Sequence, residues 1–141
     1  MATAHLTRVV PFSAAHRYFR PDWTSERNQE VFGACASEHG HGHNYHCCVT
    51  VAGTVEDDTG MIMKLHDLDS ILQEEVTDRF DHKFINHDVP EFAIGERIPT
   101  GEALAVYIWE RIASRLPDGV WLNRVRVQEE PYLYAEYFGE E

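Results

Sequence analysis

The chain has 141 residues, 43% of them hydrophobic and 26% charged, a balance that suits one globular domain. Its net charge of −12 at pH 7 speaks against a nucleic-acid groove, which needs clustered lysine and arginine to meet phosphate. Three cysteines, Cys35, Cys47 and Cys48, make no disulfide framework, because two are adjacent and any pairing leaves one over.

The amino end, MATAHLTRVV, has no basic flank leading into an apolar run, and no stretch approaches the roughly 18 apolar residues of a membrane span. The expectation is a soluble, cytoplasmic protein with reduced thiols and no membrane partner. Residues 5–16 predict a first strand with Val10, Phe12, Ala14 and His16 on one face and Pro11 at an edge or bulge. Residues 17–40 lack periodicity and hold Pro21, Gly33 and Gly40, which predicts a long functional loop. Residues 41–55 alternate as a second strand. A turn at Asp57–Gly60 then sends MIMKL, residues 61–65, back as a third.

Residues 66–80 predict a helix, with Leu68, Ile71, Leu72, Val76 and Phe80 at helical spacing and Asp67 as its cap. A second helix over 100–116 carries Leu104, Ile108, Ile112 and Leu116 on one side, with Thr100 as cap and Pro117-Asp118-Gly119 as stop. NRVRVQEE and YLYAEYF follow as two strands separated near Pro131. This order predicts an α+β fold, an antiparallel sheet with two helices packed on one face.

Strand residues two apart point the same way, so His41-Gly42-His43 offers two imidazoles from one face, with room at Gly42 for a close approach. His16 closes the first strand on the face of Phe12 and Ala14 and supplies a third nitrogen if the two strands are neighbours. Three neutral imidazoles with an open fourth position describe a catalytic zinc site, whereas structural sites are usually closed by four ligands. Cys47 could close it only if its strand bent back. Nine histidines in one chain also give some H-x-H pairs by chance.

Five further segments carry more. FSAAHR at 12–17, CASEHGHGHNY at 35–45, DHKFIN at 81–86, PTGEALAVYIW at 99–109 and VRVQEE at 125–130 together resemble the 6-pyruvoyl-tetrahydropterin synthase family. That family includes bacterial 6-carboxy-tetrahydropterin synthases of queuosine biosynthesis. The resemblance implies the tunnelling fold, in which sheets from three subunits join into a barrel and two trimers stack as a hexamer. It implies zinc on His16, His41 and His43, and 7,8-dihydroneopterin triphosphate as substrate. It also makes Cys35 the catalytic cysteine, Asp81 and His82 the pair that works with it, Glu129 the pterin anchor, and Thr100 and Glu102 part of the pterin-contacting segment.

The chemistry of these residue types agrees. A zinc ion that chelates vicinal hydroxyls acidifies the neighbouring carbon protons, and a thiolate at Cys35 can remove and return them. Asp81 beside His82 offers an oriented imidazole. A carboxylate at Glu129, at the end of the apolar face Val125-Val127, suits the two in-plane donors of a pterin edge. Taken alone, Cys35 reads as a buried inert thiol, Glu129 as a frayed strand end and Asp81-His82 as a turn. Cys35 precedes His41 by six residues, as in the pyruvoyl-forming enzymes. Glu38, however, creates E-x-x-H-G-H, which resembles variants that cleave the side chain to 6-hydroxymethyl-dihydropterin, a folate precursor. A non-catalytic metal or pterin-binding module is the reading from another class. Closure between subunits would also put the pocket at a boundary, where Glu129 could serve a zinc on a neighbouring chain.

Overall fold

Two 14-residue strands, β1 (Thr3–His16) and β2 (His41–Thr54), form an antiparallel ribbon paired along its whole length, from Thr3↔Thr54 to His16↔His41. Alternation along the ribbon sends Phe12, Ala14, Tyr45, Cys47 and Val49 into the core, and Ser13 and Asn44 to the other face. The structure, a computed structural model, describes residues 2–140. β4 (Val120–Glu130) takes the free side of β2, and β5 (Leu133–Tyr137) folds back on β4. A two-residue strand, β3 (Lys83–Phe84), runs parallel to β1 beside Ala14 and Ala15, giving the order β3-β1-β2-β4-β5. The α+β expectation holds, with this one parallel pairing added.

One face of the sheet is covered by α2 (Leu65–Leu72), which continues through a wider π turn at Gln73–Thr77 to Phe80, and by α3 (Gly101–Ala113). Leu68, Val76 and Phe80 from the first, and Leu104, Ile108 and Ile112 from the second, are fully buried against Tyr45, Val49, Val125 and Val127. Each such side chain contributes roughly 1.5–3 kcal/mol of burial. Thr100 caps α3 as expected, its Oγ1 accepting the Ala103 N–H at 3.0 Å.

Three expectations are corrected. Residues 61–65 do not form a strand, because β2 is central: Gly53 already pairs with Ala4 on one side and Val120 on the other. MIMKL packs over the ribbon's end instead, with Met63 buried. Asp67 is not a cap; Lys64 holds that position without a side-chain bond, and Asp67 lies in the first turn. The segment 17–40 is not all loop, since it holds α1 (Ser25–Phe32), capped by Thr24 Oγ1 accepting from Arg27 N–H, and a 3₁₀ turn at Gly33–Ala36. α1 gave no apolar period because its buried residue is polar. The Asn28 side chain accepts the Arg20 N–H at 2.8 Å and donates to the carbonyls of Arg20 and Thr24.

The two covering helices are also tied by charge. Glu75, buried in the π turn, accepts from Arg79 at 2.9 Å, Arg111 at 3.1 Å and Arg115 at 2.8 Å. Burial alone would raise its pKa, but the hydrogen bonds from Arg115, Arg79 and Arg111 outweigh it and hold the carboxyl below the ordinary 4.5. Glu75→Gln should therefore destabilise the fold by about 3 kcal/mol, the low end for a broken buried pair because the arginines are partly solvated. A depressed carboxyl pKa contributes stability above the unfolded value and loses it as pH falls through the folded value. Urea melts of wild type and variant should thus converge below pH 4.5. A gap that stays constant there would count against the ionised carboxylate as its source.

Candidate metal centre and adjoining cavity

The ribbon's register assembles the cluster. His41 lies opposite His16, His43 opposite Ala14, and the three imidazoles share one face. One ring nitrogen from each lies within 4.8 Å of the others. His16 Nε2 and His41 Nε2 are 3.3 Å apart, close to the separation of about 3.3 Å expected for two nitrogens each about 2.0–2.1 Å from one tetrahedral zinc. Gly42 lets the backbones close up, since a Cβ there would meet the Ala14 carbonyl at 3.3 Å. Gly40, with φ +66°, turns the chain into β2 where a Cβ would collide with the His16 carbonyl at 2.7 Å.

His16 is fully buried, and its Nδ1 shares a 2.8 Å hydrogen bond with the equally buried Tyr45 hydroxyl. Burial, then the charges of His41 and His43, lower its pKa to about 3. Burial and His43 also lower His41, against the opposing pull of Glu129 and Glu130. The imidazoles of His16 and His41 are therefore held neutral, which is the ligating form. Tyr45 on Nδ1 leaves Nε2 directed at the other two rings, the arrangement that orients a metal-binding histidine. This donor set fits zinc. Cys47 faces the core with its thiol pushed up by burial and then by Cys48, and it stands outside the cluster.

Beside the cluster lies a cavity of about 530 Å³, lined by Tyr18, Cys35, Thr100, Gly101, Glu102 and Glu129 and walled by β5. Cys35 comes from the 3₁₀ turn after α1, and its Sγ is 3.8 Å from His41 Nε2. Burial first, and Glu129 second, raise its thiol pKa. Glu129 enters from the end of β4. Its side chain is only 11% exposed, with Oε2 3.9 Å from His43 Nε2 and Oε1 accepting from the Tyr18 hydroxyl at 3.3 Å. Glu102 is exposed at the cavity's rim, and Thr100 stands at the start of α3.

Glu38 is exposed in the turn before β2 and does not line this cavity. Asp81 and His82 are paired, His82 Nδ1 to Asp81 Oδ2 at 3.0 Å, while Asp81 Oδ1 accepts the Ser13 N–H at 2.9 Å. His82 is 85% exposed, has φ +59°, and lines a different cleft with Ser13, Gly42 and Asn44. Within one chain the pair is thus oriented but kept away from Cys35. Glu129, by contrast, stands beside its own chain's His43.

The family model described as 6-pyruvoyl tetrahydropterin synthase matches residues 5–140. The chain belongs to this family. It is 41% identical over 137 residues to the 6-pyruvoyl tetrahydrobiopterin synthase of Homo sapiens, covering 97% of this chain and 92% of that protein. It is 31% identical to the 6-carboxy-5,6,7,8-tetrahydropterin synthase of Bacillus subtilis, over 94% of this chain and 83% of that one. The structure of the Caenorhabditis elegans 6-pyruvoyl tetrahydropterin synthase superposes with a TM-score of 0.91 at 32% identity, covering 99% and 98% of the two chains. The chain thus belongs to an enzyme family of tetrahydropterin biosynthesis and has its fold.

Sequence reasoning missed two residues at this synthase-family site, Tyr18 and Tyr45. Tyr45 was within reach, two positions beyond His43 on the same strand face. Tyr18 follows the last residues of β1, and no period connects it to Glu129, 111 positions away.

Proposed function

We propose that the protein is a zinc-dependent lyase that converts 7,8-dihydroneopterin triphosphate to 6-pyruvoyl-tetrahydropterin with loss of triphosphate. The observation that carries this is the placing of Cys35 Sγ 3.8 Å from His41 Nε2, with the Glu129 carboxylate facing the same cavity. His16, His41 and His43 would hold the zinc, which supplies Lewis-acid activation of the side-chain hydroxyls and a positive charge that favours the Cys35 thiolate. Glu129 accepts the paired donors of the pterin edge. Cys35 removes a proton from one side-chain carbon and returns one to the next. The low exposure of Glu129 and the wall formed by β5 limit the directions from which a ligand can reach the anchor.

A chromatographic product assay with dihydroneopterin triphosphate tests the reading. The expected product is the pyruvoyl pterin. A carboxy pterin with acetaldehyde would move the chain to the carboxy-forming branch. 6-Hydroxymethyl-dihydropterin would make Glu38 the working base, and no turnover would leave a binding module.

We further propose a homohexamer built from two barrel-closing trimers. Among the described residues, β1 pairs with no strand along its outer edge before Ser13, β5 has an open edge, and Tyr132, Leu133 and Phe138 are exposed beside it. Such edges invite strand pairing with further copies. In that assembly Asp81 and His82 would complete the Cys35 site of a neighbour. Cys35→Ala and His82→Asn (asparagine tolerates the positive φ) should each be nearly inactive. Subunit mixing should restore roughly a quarter of the sites in a random one-to-one mixture. Cys35→Ala mixed with Glu129→Ala should recover nothing, because those two residues share one chain's cavity. Equal recovery in both mixtures would refute the division of labour.

A further inference from the structure

We infer that Tyr18 is a positioning residue for the pterin anchor: its hydroxyl fixes the plane of the Glu129 carboxylate beside the histidine cluster. This rests on the proposed function, since it assigns a role within the same site. Glu129 presents an almost buried carboxylate to an open cavity, and a carboxylate free to rotate there would offer its oxygens in many directions. The Tyr18 hydroxyl donates to Oε1 at 3.3 Å, the one side-chain hydrogen bond the carboxylate accepts among the described residues. A carboxylate has about four lone-pair sites. One donor on Oε1 therefore leaves a lone pair there, and all of Oε2, for the two parallel N–H groups of a pterin edge.

The ring of Tyr18 is itself locked. It lies 4.7 Å from the His16 ring and 5.9 Å from Phe32, and Phe32 stacks on Trp23 at 5.5 Å. The Tyr18 N–H also donates to the Cys35 carbonyl at 2.8 Å. One residue thus ties the metal-ligating strand end, the turn that carries Cys35, and the anchor on β4. That linkage sets the spacing between the carboxylate, which grips the ring, and the imidazoles and thiol, where the side chain must react. α1 contributes as well, because its Phe32 braces Tyr18 from behind.

The test is Tyr18→Phe, which keeps the ring and removes the donor. KM for dihydroneopterin triphosphate should rise about tenfold, the low end for a hydrogen bond to a charged group, with kcat changed less than about threefold. The equilibrium Kd for 7,8-dihydroneopterin, which lacks the triphosphate, should rise in parallel, while zinc content and thermal midpoint stay as in wild type. In a Glu129→Gln background the same substitution should change that Kd less than about twofold, since the two act as a pair. An unchanged KM and Kd in Tyr18→Phe would overturn the inference and leave the proposed function standing. So would an equal rise in both backgrounds, which marks a general packing effect. A wild-type protein that neither binds nor turns over the pterin overturns both.

Discussion

His41→Ala and His43→Ala are each expected to abolish binding of the proposed zinc and, with it, all measurable turnover. Losing an outer partner of a ligating histidine costs about 10–100-fold in affinity, so losing a ligand should cost more than about 100-fold. Both side chains are only partly buried at the end of the ribbon, and the core beneath β2 does not depend on them. The fold should therefore survive, and the loss should be one of affinity. Metal analysis after dialysis should give about one zinc per wild-type chain and almost none for either variant. Chelation of the wild type should reproduce the variants' stability. If zinc is present at about 1,000 times its Kd, removing it should cost about 4 kcal/mol, on the order of 10 °C in the melting midpoint. Full zinc in both variants would remove the cluster from the site.

Cys35→Ala should separate chemistry from binding. Its Sγ is not one of the three clustered ring nitrogens, so zinc content and dihydroneopterin affinity should stay at the wild-type level. Turnover should fall by roughly 10²–10⁴-fold, the range for a general acid–base group. A variant that turns over like wild type would make Cys35 a bystander. Glu38, exposed and outside the cavity, would then need a loop rearrangement to act in its place.

Much of this is legible in the residues because it obeys a short period. Strand alternation alone sets His16 on the core face of β1 and puts His41 and His43 on one face of β2, and the i, i+3, i+4 stripes of α2 and α3 name the residues that form the core. Three of the segments that carry the family resemblance, 35–45, 99–109 and 125–130, supply the cavity's Cys35, Thr100, Gly101, Glu102 and Glu129. Where periodicity is silent, expectation fails: α1 is organised around the buried amide of Asn28 rather than an apolar stripe.

The residues alone, then, determined the sheet's faces, the two covering helices and the imidazole set, since each depends on neighbours two to four positions apart. Tertiary structure alone decided three further things. Residues 61–65 are not a strand because β4, from far along the chain, already occupies the edge of β2. Glu129 belongs to its own chain's cluster because β4 ends beside β2, and Tyr18 reaches it across 111 positions. Asp81 and His82 sit off that cavity because Asp81 is pinned to the backbone of Ser13, at the opposite edge of the ribbon. Each is a contact between distant segments, and local spacing carries no information about which distant segment arrives.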